Sequence, residues 1–455
     1  MDKNEIIRIL NELNTKKAVD YFDVRVELSS LTSIAMSNHE TTNAIEETNI
    51  GAFIRVYNNG RWFYKSLSSV ENIQGEVDSL CRISKTHKGK SLPIFDSLGE
   101  FSAERFLYES KSSFVSIKEK HSLLKSYDEI TREYPKIKLT QSTYIDKKSE
   151  VYFSNSKGVS TGYDFFGSEV RIGYRFSDSD KNFNDMYSCY SDNFAKLLSK
   201  EEKLRESISE SEKFLCADSC EAGVFPMILS PGAAGVFAHE SFGHKSESDF
   251  MIGDENMKRE WALGKRVGSD LLSIIDYGDI PGNSGYTPFD DEGTKSEKTY
   301  LIKNGILAGR LHSLSTAYDL SEKPTGNGRA INFEYQPIVR MTNTYIEKGA
   351  SSFDSLVSSI DNGYFIKSIK HGSGLSTFTI APLRAYRIVS GKLQSPVKIN
   401  VITGTIFETL NDIEALSDEV ELKSSLIGGC GKNEQYPLRV SFGGPHVLVK
   451  KMNVS

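Results

Sequence analysis

The sequence predicts an α+β fold: an N-terminal helix-plus-antiparallel-sheet domain over residues 1–215, then a mostly β C-terminal domain over 216–455 that carries a metal-binding helix. Three observations predict it. Apolar/polar alternation recurs in short runs separated by amphipathic helical stretches. An Asn59-Gly60 turn joins two such runs as a β-hairpin. Beyond Ala217–Gly223 the composition shifts toward glycine and strand patterns. At 455 residues the chain is long enough for two domains.

Taken in order, residues 3–14 read as a short amphipathic helix and Asp23–Leu28 as a half-buried strand. Ile54–Tyr57 and Arg61–Tyr64 flank the Asn-Gly turn. A helix is expected near 69–84, then a loop through Pro93, then a long helix near 114–133 that ends before Pro135. Strands resume at 138–141, 150–153 and 170–176. Ser37-Asn38 and Ser154-Asn155 each precede a strand-loop-strand that returns through a triplet centred on Arg55 or Arg171. This echo suggests an internal duplication of a helix-plus-sheet unit. Residues 200–214 form a charged helix with a solvated face.

Composition sets the outer bounds. Hydrophobic residues make up 38% and charged residues 25% of the chain, and mean hydropathy is −0.37, as in soluble globular proteins. The net charge of −6 offers no basic footprint for nucleic acid. Neither an apolar leader nor a run long enough to span a membrane is evident. The five cysteines, at 81, 189, 216, 220 and 430, lack framework spacing and fit a reducing cytoplasm. The expected localisation is therefore cytoplasmic, with no nucleic-acid or membrane partner.

The chemistry concentrates in His239-Glu240-Ser241-Phe242-Gly243-His244. Neutral imidazole is a common zinc ligand, and a glutamate beside a ligand is the usual base toward a zinc-activated water. Zinc-peptidase helices space the two histidines four apart. Here they are five apart, which leaves them about 140° apart on a regular α-helix. Both can reach one ion only if the helix widens locally, as in a π-bulge, or ends near Gly243. The preceding run, Phe225–Ala238, reads as a buried strand, a Pro-Gly turn and a tightly packed helix start, with Ala233, Ala234, Gly235 and Ala238 allowing close approach. Two ordinary helix histidines are the bland alternative.

A catalytic zinc usually takes three protein ligands, and Cys430, flanked by Gly429 and Gly431, is the best third candidate. A glycine-bordered cysteine makes a poor core strand and signals close approach of a partner surface. Other features are weaker. Gly326, Asn327, Gly328 and Arg329 could form a loop that offers backbone N–H groups and a cation to a peptide, or a plain turn. Asp290–Gly293 reads more readily as a turn than as a second metal site. His312, His371 and His446 are candidates to polarise a carbonyl, with structural roles the commoner outcome.

The chain resembles the TldD/PmbA family of zinc metallopeptidases, sometimes called gyrase modulators. The resemblance rests on Pro231–His244, Asp290–Gly293, Pro324–Arg329, Arg340–Tyr345 and Gly429–Lys432, with a weaker match over Gly51–Tyr64. It is dense over roughly 225–445. It implies the catalytic TldD-like branch, with His239, His244 and Cys430 as Zn2+ ligands and Glu240 as general base. It also implies unfolded or small peptides as substrates, gripped by the main chain inside an enclosed dimer; entry as an added strand on an exposed sheet edge would give such sequence-tolerant recognition. The assembly expected is a homodimer, or a heterodimer with a related non-catalytic subunit. Two departures stand out. Gly428-Gly429 replaces a more usual Gly-Thr, and residues 330–338 differ from the expected segment. The competing functions are a peptide-binding scaffold subunit with a non-catalytic zinc, and an amide hydrolase that tailors one modified peptide.

Overall fold

The computed structural model describes residues 3–13, 19–96, 98–108, 115–374 and 377–455. Helix α1 spans Lys3–Asn11, so position 14 of the expected helix lies outside the described residues. Strands β1 (Tyr21–Ser37), β2 (Glu40–Asn58) and β3 (Arg61–Leu67) form a continuous meander, with the Asn-Gly turn where the sequence puts it. Helix α2 (Ile73–Ser84), short strand β4 (Phe101–Arg105) and helix α3 (Ile117–Ile130) follow. The expected start of α3 at 114 lies outside the described residues. A capping box at Ser116, with Glu119 returning its bond, fixes the start at 117. A second meander then runs through β5 (Ile137–Asn155), β6 (Val159–Asp178) and β7 (Lys181–Ser191), and α4 (Glu201–Lys213) follows it.

The strands are far longer than the short runs read from the sequence. Strands 17 to 20 residues long outlast the alternating segments because long pairings hold them: β1 pairs with β2 over Tyr21–Ser37 and with β5 over Asp23–Ser37. The sheet order β3-β2-β1-β5-β6, with β7 on β6, sets the two meanders back to back across an antiparallel β1–β5 seam. Each half has its own core. Ile6 and Leu10 of α1 with Ile73, Val77 and Leu80 of α2 cover one half. Leu124 and Tyr127 of α3 with Leu204 and Ile208 of α4 cover the other. Arg55 and Arg171, the centres of the sequence echo, both sit on the second strand of their meander.

From residue 218 onward the strands join other sheets. Strands β8 (Asp218–Ser219) and β9 (Gly223–Leu229) belong to an eight-stranded sheet. In it, 362–374 pairs with both β9 and 377–389, so five strands close on themselves. A six-stranded sheet includes Asn343–Ile346, Ser441–Gly444 and, at its edge, Glu421–Ser424. Helix α5 (Pro231–Ala238) lies between these two sheets. Its Ser230 cap accepts the Ala233 N–H, and Pro231 occupies the first turn, so the Pro-Gly pair begins the helix. Among the described residues no helix is long and apolar enough to cross a membrane.

Buried charge ties the two sets of sheets together. Arg55 is bidentate to Asp23 and reaches Glu292 at 2.6 Å, while Arg25 pairs with Asp291 at 2.9 Å. Asp290 accepts the N–H groups of Glu292, Thr294 and Gly328, so the acidic segment is a turn clamped by two arginines.

The tightest approach around α5 is at Gly235, where an added Cβ would stand 2.4 Å from the Gly443 nitrogen. Gly235→Ala is therefore expected to lower stability by about 1–3 kcal/mol, read as a reduced denaturation midpoint. An unchanged midpoint would show that helix and strand can separate without cost.

Candidate metal centre

Residues His239–Gly243 form one turn of π-helix that continues α5, and the His244 N–H donates to the His239 carbonyl. That i to i−5 bond meets the geometric demand of the five-residue spacing. The extra residue in the turn brings the two imidazoles onto one side, with ring centroids 5.1 Å apart. Gly243 is required there, because a Cβ would lie 2.0 Å from Met341 Sδ. Glu240, half-buried, lines the same cavity as His239 and Cys430.

Cys430 arrives from a remote strand. Ligand atoms of His239, His244 and Cys430 all lie within 4.8 Å of one another. Zinc carries nitrogen at about 2.0–2.1 Å and sulfur at about 2.3 Å, which puts tetrahedral N and S ligands roughly 3.5 Å apart. Cys430 Sγ stands 3.5 Å from His244 Nε2. Buried His239 Nδ1 has no hydrogen-bond partner, a vacancy rare for a buried polar atom. The donor set and its spacing thus fit zinc. A soft thiolate with imidazoles also argues against magnesium or calcium.

The electrostatics favour the ligating form of the thiol. Burial alone raises the Cys430 pKa, but hydrogen bonds from His239 and His244 outweigh it and hold the group at about 5. For His244, burial lowers the pKa while bonds to Cys430 and Glu247 bring it up to about 10. Both shifts describe the metal-free site, a thiolate facing protonated imidazole.

Supporting contacts come from residues that the sequence reading did not assign. Fully buried Glu247 accepts from His244 Nδ1 at 3.1 Å and pairs with Lys432 at 3.1 Å, which orients the ring so that Nε2 faces the thiol. Lys432 also reaches Asp249 and the Val339 carbonyl. Arg340 donates to the carbonyls of Cys430 and Gln435. Glu169, on β6 and fully buried, accepts the N–H groups of Leu426 and Ile427 and the Ser425 hydroxyl. Arg171 donates to Glu169 and to the Ile427 carbonyl. The N-terminal sheet therefore holds the turn that delivers Cys430. A glutamate three residues after His244 was the one local signal for Glu247, whereas Glu169 lies 261 positions before Cys430 and leaves none.

The metal cavity, about 250 Å³, is bordered by Glu240, Arg171 and the edge residues Lys423 and Ser424. Gly326, Asn327, Gly328 and Arg329 do not border it. The Asn327 amide bonds Asp276 and the Arg340 carbonyl, the Gly328 N–H bonds Asp290, and Arg329 bonds the carbonyls of Met341 and Arg439. His312 is bonded to Glu322 at 3.0 Å, His446 lies against Phe353, and His371 is exposed on strand 362–374. None of these three histidines lines the cavity.

In metal-free protein, ultraviolet thiolate absorbance from Cys430, isolated by difference against Cys430→Ser, is expected to persist on acidification until pH nears about 5. Its loss near the ordinary thiol value of about 8.5 would contradict the imidazole pairing.

Comparison with known proteins agrees with this architecture. Residues 222–455 match the PmbA/TldA metallopeptidase C-terminal domain, and residues 22–84 match PmbA/TldA metallopeptidase domain 1. A metalloprotease of Synechocystis sp. is 30% identical over 96% of this chain and 94% of its own length. A zinc metalloprotease TldD homolog of Saccharolobus solfataricus is 36% identical over 51% of this chain and 52% of its own. The crystal structure of TldE from Thermococcus kodakarensis superposes with a TM-score of 0.79 at 16% identity, covering 99% of both chains, a likeness of fold. The chain belongs to the TldD/PmbA family of metallopeptidases.

Proposed function

We propose that this chain is a zinc-dependent peptidase, with His239, His244 and Cys430 as the metal ligands and Glu240 as the proton-transferring base. The observation that carries the reading is the three-membered donor cluster opening onto a cavity that Glu240 also borders. Zinc held there would supply Lewis acidity toward a water and a scissile carbonyl. Glu240 would take a proton from the attacking water and return it to the leaving amine. Glu247, itself held by Lys432, would fix the His244 tautomer with its proton on Nδ1 and keep the ring turned so that Nε2 faces the ion. Cys430, its pKa held against burial at about 5 by the two imidazoles, would ligate as the thiolate, and His244 would give up its Nε2 proton on binding the ion.

The count of ligands bears on the scaffold alternative. Structural zinc is closed by four protein ligands, whereas the cluster among the described residues has three. Glu247, the carboxylate bonded to His244, is committed to that ring and to Lys432. Peptide would pair along the strand Glu421–Ser424, which ends its sheet and supplies Lys423 and Ser424 to the cavity. Main-chain pairing of that kind suits unfolded or small peptides of varied sequence. The tailoring-hydrolase alternative would require a single modified peptide to be preferred over generic ones.

The TldE likeness supports assembly as a homodimer or with a related non-catalytic subunit, and the unpaired state of all five cysteines supports a reducing, cytoplasmic setting.

Glu240→Gln is expected to retain zinc and lose about 10²–10⁴-fold in peptide hydrolysis, the usual contribution of general acid–base catalysis. An unchanged rate in zinc-loaded variant protein would overturn the mechanism.

A further inference from the structure

The metal cavity does not end at Cys430. Gly428 borders both it and a larger cavity of about 390 Å³, which lies between the N-terminal sheet and the segments 331–334 and 426–439. Lys147 and Arg439 border that larger cavity and also a smaller one of about 40 Å³ behind it. Gly428 thus separates the candidate metal centre from a cavity whose wall carries two cations.

Among the described residues the charge on this wall is not balanced. Three cations, Lys147, Arg329 and Arg439, surround the small cavity with two carboxylates, Glu27 and Asp291. Asp291 is already held by Arg25 at 2.9 Å. Glu27 stands 3.8 Å from Lys147, a loose pairing. Arg329 donates only to the carbonyls of Met341 and Arg439, and Arg439 donates to the Ser284 carbonyl and stacks 3.7 Å from the Phe165 ring centre. Among the described residues neither arginine has an ion-pair partner.

The titration behaviour is that of crowded cations. Burial and then the neighbouring Arg439 pull the Arg329 guanidinium down to about 10. Burial likewise lowers Lys147, against the opposing pull of Glu27. Partly desolvated cations that lack carboxylates gain more from an incoming anion than hydrated surface lysines do. The remaining carboxylates of the larger cavity, Glu47 and Glu334, are exposed, where water screens them.

We propose that Lys147 and Arg439 form a carboxylate subsite in the 390 Å³ cavity, one that anchors the C-terminal carboxylate or an acidic side chain of a peptide lying across the metal centre. This rests on the peptidase reading and adds a preference for where the peptide carries its negative charge. Residues 331–334 and Gly428, where the chain departs from the expected family pattern, form the walls of this same cavity.

The test is direct binding, independent of turnover. Peptides labelled at the N-terminus with a fluorophore are titrated with zinc-loaded Glu240→Gln protein, and anisotropy is followed. One peptide ends in a free carboxylate, a second of the same sequence ends in an amide, and a third is the amide with one internal glutamate. A charged peptide is expected to bind about tenfold or more tighter than the neutral amide, the size of one charge-assisted hydrogen bond. Which of the two charged peptides gains identifies the source of the carboxylate. Lys147→Met and, separately, Arg439→Met should bring the charged-to-neutral ratio toward one. Equal binding of all three peptides, no binding of any, or a ratio untouched by both substitutions would overturn the subsite. Selective binding of the charged peptide by protein that never cleaves it in the wild-type form would keep the subsite and remove the peptidase reading.

Discussion

One backbone hydrogen bond of unusual span, from the His244 N–H to the His239 carbonyl, is what the rest of the site depends on. A regular α-helix would turn the two imidazoles away from each other, and Cys430 would then face a single histidine. The π-turn costs helical regularity, and its surroundings offset that cost. Gly235 lets α5 sit against the backbone of Gly443, and Gly243 makes room for Met341. The Ala233, Ala234 and Ala238 side chains are buried in the core shared by the surrounding sheets. Packing on both sides holds the π-turn in place.

The third candidate ligand, Cys430, depends on a different kind of restraint. The strand that bears Cys430 is three residues long and follows two glycines, so it has little intrinsic rigidity. Its position is set by bonds to buried charged groups. Arg340 grips the Cys430 carbonyl from below, and Glu169 and Arg171 grip the preceding turn from the N-terminal sheet. The clamps Arg25–Asp291 and Arg55–Glu292 fix that sheet against the rest of the chain. The N-terminal half thus reaches the candidate metal centre, although among the described residues the donor cluster takes no side chain from it. Breaking one of these buried pairs would leave a charge without its partner, which costs more than an exposed pair would.

Much of this was legible in the residues. The histidine spacing demanded either a widened helical turn or a helix end near Gly243, of which the first is found, and the glycines around Cys430 announced a close approach. The Asn-Gly hairpin, the helices α2 to α4 and the strand before Ser230 follow from periodicity and turn chemistry that act over a few residues. What was not legible is long-range. Local alternation marks only the parts of β1, β5 and β6 that face a core, whereas their full lengths are set by cross-strand partners as remote as Asn155 is from Asp23. Glu169 acts on the site through the fold with no local pattern to mark it, and Arg340 and Lys432, though they lie in segments that carry the family resemblance, show their roles only once the chain is folded. The Thr325–Arg329 loop reads as polar and available in sequence, yet its Asn327 and Arg329 side chains and the Gly328 N–H are bonded within the chain.

The most direct measurement is metal content per chain, by elemental analysis of wild-type protein and Cys430→Ser purified side by side. About one zinc per chain in the wild type, with most of it lost in the variant, is the result this account predicts. Zinc retained at full occupancy in Cys430→Ser, or wild-type protein that takes up none when zinc is supplied, would contradict it.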